Sequence, residues 1–387
     1  MKNDILKLTD QQVLEHARQG LEQYLPLEAE GYVCSAEDLW NVLLGVGAKG
    51  GTIESACADL ADTPAAETIR QYLNEQVTVK TLPRWEESLN AALAAQIPSR
   101  VWRQARDIAI DFHDRSYYGK TTQEEGLWVR GKAKNGTTRF YRVITAYVIL
   151  SGLRVTLAID FFLPGNDTVT MLTRLLHRVE ALGIQVCRLL LDKGFAGIEV
   201  MDYLFRQGLS ALIACPIRGK TGGTRALCRG NKSHLATHTF KGQGGTFTAQ
   251  LAVCRVFTTA RRTGRMQRRA DWLVFILIHL DLSPRQARRL YRRRFGVETS
   301  YRCAGQVRGW TTSKNPAYRF LLIGLSFFLL NVWLHLRWLF TQVPRRGRRR
   351  LDVKRFQLTR FASFIVRALE QRYGYVHEIV ALAAPML

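Results

Sequence analysis

The run Cys187-Arg188-Leu189-Leu190-Leu191-Asp192-Lys193-Gly194-Phe195 constrains this chain more than any other stretch. It is an apolar segment stopped by a carboxylate and a glycine. A strand of this kind is buried on both faces, which an α/β architecture with helices over a central sheet provides. The carboxylate at its end lies where such folds place their sites, at the carboxyl ends of the strands. A second strand is read over Arg106 to Phe112. There Ile108, Ile110 and Phe112 alternate with Asp107, Ala109 and Asp111, a period of two. It too is expected to end on a carboxylate, Asp111. Set side by side, the two strands bring Asp111 and Asp192 together.

A third carboxylate stands in Tyr291-Arg292-Arg293-Arg294-Phe295-Gly296-Val297-Glu298-Thr299-Ser300-Tyr301-Arg302. Ser283-Pro284 supplies an N-cap and a proline for the first helical position, so one helix is expected through this stretch. Tyr291, Arg294, Glu298 and Arg302 recur at steps of three, four and four, which places them on one helical face. Such a helix, packed across the two strands, adds Glu298 to the aspartates. Three converging carboxylates repel one another, and divalent metal relieves that repulsion. Two Mg²⁺ ions, or Mn²⁺ in their place, about 3.5–4 Å apart suit phosphodiester cleavage. Other carboxylates compete for the role. Asp160 could replace Asp111 in a different register, Asp114 could support it, and Asp167 is best read as a helix cap.

The charge balance points to the substrate. Lys and Arg number 56 against 32 Asp and Glu, a net charge of +24. An acidic partner follows, with nucleic acid the first choice and an anionic membrane surface the second. The arginines cluster at 261–269, 288–294 and 345–350, in the same half of the chain as Glu298. The seven cysteines form no Cys-x-x-Cys pair and read as reduced and intracellular; with DNA as the partner, a cytoplasmic, nucleoid-associated protein is expected. Cys228, His234 and His238 lack an evident fourth ligand for zinc. Residues 320–340 are nearly long enough to span a bilayer, but Asn331, His335 and Arg337 would be costly there. A core helix and no membrane partner are expected instead.

Five regions are expected along the 387 residues. Residues 1–100 form a helical N-terminal domain. Within it a helix at 52–60 and another opened by Thr63-Pro64 resemble a helix-turn-helix, although Arg70 is the only basic residue on the second. Residues 101–217 read as strands and helices of a core, with a hairpin at Ser151-Gly152 and a helix from Thr168 to Leu182. Residues 218–281 are glycine-rich and then β-rich, a β insertion with arginines at its tip. Residues 282–341 return to the core, and residues 342–387 form a basic tail or helix. Trp310, beside an apolar helix, is expected in the core, with stacking on an unpaired base as the alternative.

The motifs resemble the insertion-sequence transposases that carry an Asp-Asp-Glu triad on an RNase H-like fold. The resemblance rests on Asp-Phe-His-Asp at 111–114, Leu-Asp-Lys-Gly-Phe at 191–195 and Phe-Gly-Val-Glu-Thr-Ser-Tyr-Arg at 295–302. Tyr291, Arg294 and Glu298 match the Tyr-x-x-Arg-x-x-x-Glu signature of one branch. It covers roughly residues 100–340. The signature usually continues with Lys seven residues after the Glu, a position held here by Gly305, with Arg302 and Arg308 as nearby substitutes. The resemblance implies an RNase H-like mixed sheet flanked by helices, with the β insertion holding the DNA end. It implies Asp111, Asp192 and Glu298 as metal-binding catalytic residues. DNA contacts are then expected from Tyr291, Arg294, Arg302, Arg308, Lys193, Arg268 and Arg269. The expected partners are element terminal repeats and target DNA, bound by a homodimer. A nuclease-only or inactivated relative, and a membrane-associated basic protein, are the alternatives.

Overall fold

The computed structural model describes residues 7–379 apart from 120–126, 151–152, 164, 263–264, 314 and 344–349. Side chains at 100, 103, 153, 258–262, 265–268 and 350 are also outside the described set. In chain order, helices α1 (Asp10–Glu22), α2 (Ala36–Lys49), α3 (Ile53–Ala58), α4 (Ala66–Gln76) and α5 (Leu82–Ala95) come first. Strands β1 (Arg106–Ser116), β2 (Val129–Lys134), β3 (Thr137–Leu150) and β4 (Leu153–Phe161) follow. Then come α6 (Thr168–Ala181), β5 (Val186–Leu191), α7 (Ile198–Arg206) and β6 (Ala211–Cys215). Three longer strands, β7 (His234–Gly242), β8 (Gly245–Arg262) and β9 (Arg265–Ile278), precede α8 (Pro284–Tyr291) and α9 (Gly296–Gln306). The chain continues through α10 (Pro316–Phe340), β10 (Gln342–Val343), β11 (Arg350–Leu351) and α11 (Leu358–Tyr373).

Two compact units result. One comprises residues 99–118 and 125–299, the other residues 1–98, 119–124 and 300–387. The stretch 282–341, read from sequence as one return to the core, is therefore divided within α9.

The first unit is built on a nine-stranded mixed sheet of order β2-β3-β1-β5-β6-β9-β8-β7, with β4 also paired to β3. β1, β5 and β6 are parallel and central. Their apolar residues Ile108, Ile110, Leu189, Leu190, Leu191, Leu212 and Ile213 are fully buried, as strands covered on both faces require. β7, β8 and β9 lie within residues 218–281, the stretch read from sequence as a β insertion. They continue the same sheet, because β9 pairs antiparallel with β6 from Ala211↔Ile278 to Cys215↔Val274. β8 pairs with β7 only as far as Val253, and β9 with β6 only from Val274. From Cys254↔Leu273 outward to Arg262↔Arg265, the described pairing is of β8 with β9.

α6 starts where the sequence indicated. Asp167 caps it, its Oδ1 accepting from the Thr170 N–H at 2.6 Å, and this hydrogen bond holds the carboxyl below its ordinary range. Met171, Leu172, Leu175, Leu176 and Val179 form its buried stripe.

The second unit centres on α10, 25 residues long and buried on all sides. Asn315 caps it, accepting from the Ala317 and Tyr318 N–H groups, with Pro316 at the first position. It is the described helix long and apolar enough to cross a membrane, and 89% of its most apolar window is buried. Its polar groups have protein neighbours. Asn331 Nδ2 donates to Leu93 O, Ser326 Oγ donates to Ile323 O, and the Arg337 guanidinium lies 4.9 Å from the Trp333 ring centre. His335 stacks on His16 with ring centres 5.3 Å apart. Gly324 lets α5 approach, since a Cβ there would overlap Leu89 Cδ1. Gly324→Val is expected to destabilise this unit by about 1–3 kcal/mol through overpacking. Urea unfolding measures it, and an unchanged midpoint would mean that Leu89 moves aside freely.

α3 and α4 occupy the helix-turn-helix candidate. Arg70, its one basic residue, is paired with Glu54 and Glu67. In the C-terminal region α11 packs on α1 and α2. The arginines at 345–349 lie outside the described residues.

Candidate active site

Asp111 and Asp192 stand at the point where the parallel ladder between β1 and β5 stops. Ile110↔Leu191 is the last parallel pair, and each aspartate is the next residue along its strand. In-register parallel neighbours present side chains on the same face, so the register brings the two carboxylates together. Asp111 does not end β1. The strand continues to Ser116 by antiparallel pairing with β3, from Phe112↔Ile144 to Ser116↔Phe140. Asp192 leaves β5 and caps a 3₁₀ turn at Lys193–Phe195, its Oδ1 accepting from the Gly194 N–H at 2.7 Å. Phe112 and Phe195 stack beneath, ring centres 4.7 Å apart and nearly coplanar at 4°.

Burial dominates the electrostatics of Asp111. The residue is 9% exposed, and desolvation pushes its carboxyl up to about 7. The Asp192 charge adds to that rise, while Arg294 opposes it, with Nη2 at 2.8 Å from Asp111 Oδ1. Arg294 is itself buried, and its guanidinium lies 5.8 Å from the Tyr291 ring centre. Burial pushes the Tyr291 hydroxyl up to about 12, so it stays protonated near neutral pH. Its ring packs 4.8 Å from that of Phe275.

The single helix expected through Tyr291 and Glu298 is broken. α8 ends at Tyr291, a 3₁₀ turn spans Arg292–Phe295, and α9 begins at Gly296. The physical cause lies on β1. Arg293 pairs with Asp107 and Arg294 with Asp111, so two consecutive arginines reach two carboxylates on one face of a strand. Gly296 permits a close approach too, because a Cβ there would overlap the Arg154 guanidinium. The four-residue face is lost as a result. Tyr291 and Arg294 join Asp111 and Asp192, while Glu298 is exposed in the first turn of α9. Among the described residues no group of three or more His, Cys, Asp or Glu side chains is placed to hold a metal ion. The two aspartates nevertheless fit a hard cation. They offer oxygen donors only, and a buried carboxylate beside a like charge is stabilised by positive charge.

The competing carboxylates are accounted for. Asp160 is fully buried and paired with Arg174 and Arg178 of α6. Asp114 takes a bidentate Arg142, Nε and Nη2 each at 2.7 Å, whose guanidinium lies 4.8 Å from the Phe112 ring centre. Asp107 was missed by sequence reasoning. Its place in the alternation Asp107, Ala109, Asp111 was the available signal.

The expected DNA contacts divide by location. Lys193 is exposed beside Asp192. With Arg288, Arg292, Trp272, Phe275 and Tyr291 it lines a cleft of about 520 Å³. Arg269 is exposed on β9 opposite Thr258, and Arg268 lies opposite Thr259 with its side chain outside the described set. Arg302 and Arg308 belong to the other unit. Arg302 is exposed, whereas Arg308 is buried with its guanidinium 4.3 Å from the Trp310 ring centre. Trp310, expected in the core, is 57% exposed, because the guanidinium rather than the apolar helix covers its ring.

Comparison with known proteins bears on the family and the fold. The model of the transposase DDE domain family matches residues 102–332, more than half the chain. A cryo-EM structure of the piggyBac transposase synaptic complex with hairpin DNA shares the fold, with a TM-score of 0.53 at 10% identity. The match covers 99% of this chain and 81% of that one. No curated protein matches by sequence. The mixed sheet with flanking helices is thus of the RNase H-like type, and the matched segment contains Asp111, Asp192 and Glu298. The chain belongs to the transposase DDE domain family.

Proposed function

We propose that this transposase cuts phosphodiester bonds at the ends of a mobile element and joins the freed 3′-hydroxyls to target DNA. The observation that carries the reading is the pairing of Asp111 with Asp192 at the end of the β1–β5 ladder, beside a cationic, aromatic cleft. Asp111, Asp192 and Glu298 are the residues that would hold two Mg²⁺ ions, or Mn²⁺. Such ions, when bound, activate a water and stabilise the leaving oxygen. Arg294 favours the ionised form of Asp111 and offers a planar fork to a phosphate. The protonated Tyr291 hydroxyl donates to a phosphate oxygen. Lys193, Arg288 and Arg292 neutralise the strand lying in the cleft, and Arg269, exposed on β9, extends the contact. Two in-line displacements complete the reaction, first by water and then by the 3′-hydroxyl. The protein works as a homodimer on DNA in the cytoplasm, at the nucleoid.

A mini-element carrying the terminal repeats that flank the gene tests this. Products joined through their 3′ ends to target DNA are expected in Mg²⁺. Cleavage without joining would support the nuclease-only reading, which Gly305 in place of the usual Lys makes specific.

Arg294→Lys is expected to lower single-turnover cleavage roughly 10–100-fold, the loss typical when a supporting group at a metal site is removed. Lysine is a point charge and cannot bridge Asp111 and a phosphate as a fork. DNA affinity should change little, whereas Arg292→Ala, exposed on the cleft, should weaken binding. Equal effects of the two substitutions on cleavage would remove Arg294 from the active site.

A further inference from the structure

Asp107 takes no part in the chemistry proposed above, yet it is 6% exposed and holds two arginines. Arg188 is its partner in the β1–β5 register and donates through Nε at 2.8 Å and Nη2 at 3.1 Å. Arg293 reaches it from the 3₁₀ turn, while the Nη2 of Arg293 also donates to Ile149 O at 3.5 Å. The next residue, Arg294, is held by Asp111. The turn is therefore fastened to one strand at two points, four residues apart on the same face.

That fastening has a structural purpose. A 3₁₀ turn has poorer hydrogen-bond geometry than an α-helix, and local signals here favour an uninterrupted helix. Something outside the segment has to hold the break. The break sets where α9 begins, and Glu298 lies in the first turn of α9. A buried ion pair is weak evidence for net stability, because desolvation offsets the attraction. As a β1–β5 tie, Asp107 would need Arg188 alone.

We propose that Asp107 is a positioning residue for catalysis. Acting through Arg293, it holds the Arg292–Phe295 turn on β1 and thereby places Arg294 and Glu298 relative to Asp111 and Asp192. This rests on the reading of those carboxylates as the active site.

The test compares Asp107→Asn, Arg293→Gln, their double variant, Arg188→Gln and Asp111→Asn in the full chain. Three quantities are measured: single-turnover cleavage at saturating DNA, DNA affinity and thermal midpoint. Asp107→Asn and Arg293→Gln should each slow cleavage roughly 10–100-fold with affinity nearly unchanged. The double variant should be no slower than the slower single one, because both act through one contact. Arg188→Gln should lower the midpoint but leave cleavage close to that of the unaltered protein. If Arg188→Gln slows cleavage as much as Arg293→Gln, or the singles add in the double, Asp107 is merely structural and the proposal falls. Should Asp107→Asn not fold, Arg293→Gln carries the test, since that side chain is 46% exposed. Normal cleavage by Asp111→Asn would instead overturn the carboxylate reading itself. An inactive Asp111→Asn beside fully active Asp107→Asn and Arg293→Gln would sink the positioning role alone.

Discussion

Asp111→Asn and Asp192→Asn are each expected to abolish divalent-ion-dependent cleavage while DNA binding persists. Glu298→Gln should do the same if the exposed glutamate completes the site on DNA. The loss should exceed the roughly 10–100-fold seen when residues that only support a metal ligand are removed. A carboxamide of the same shape cannot supply the charge a hard cation requires. Each variant is assayed for cleavage and, separately, for DNA binding. A variant that cleaves normally strikes its residue from the triad. Asp160 is no replacement, because its carboxylate is fully buried against Arg174 and Arg178. The Asp111 substitution carries a second, independent signature. Its carboxyl is raised to about 7 when folded, against an ordinary value near 3.8. Between those values the folded protein binds a proton that the unfolded chain does not, so stability falls as pH rises through the window. In chelator, Asp111→Asn should flatten the stability profile from pH 4 to 7. An unaltered profile would mean that the carboxylate is better solvated than its surroundings suggest.

DNA affinity should collapse with salt. A net charge of +24 and the arginines exposed at 269 and 292 and half-buried at 288 imply several phosphate contacts, each releasing condensed counterions. With about 6–10 such contacts, affinity falls on the order of 10³–10⁵-fold between 50 and 200 mM salt. Removing one phosphate-binding side chain should reduce the logarithmic slope by about one. Arg292→Ala is the direct choice, and Arg293→Gln should leave the slope alone because Arg293 is committed to Asp107. A flat response would separate the basic surface from DNA and revive the membrane reading, which fractionation in alkaline carbonate decides.

Much of the sheet-bearing unit was legible in the sequence, because its signals are local. The apolar run before Asp192, the cap at Asp167 and the alternation before Asp111 each report on their own strand or helix. What escaped depends on distant partners. His113 to Ser116 look too polar for a strand, yet they pair with β3. The helix signal at Ser283-Pro284 is sound, but Asp107 and Asp111 draw Arg293 and Arg294 out of helical phase from far earlier in the chain. Residues 320–340 show that a helix must be covered all round without naming the cover. α10 is grouped with the N-terminal helices, in which Leu89 and Leu93 of α5 are its neighbours.

The outer half of the β8–β9 pair has a consequence for reach. Nine residue pairs, from Cys254↔Leu273 to Arg262↔Arg265, extend past the last rungs shared with β7 and β6. At about 3.3 Å per residue this ribbon is about 30 Å long, nearly one turn of duplex DNA at about 34 Å. Two antiparallel strands are also the cross-section that a major groove about 12 Å wide admits. The ribbon is therefore roughly as long as one helical repeat of duplex, and Arg261, Arg262 and Arg265 occupy its outermost paired positions. Shortening the ribbon by whole rungs would change its reach in steps of about 3.3 Å without touching the carboxylates.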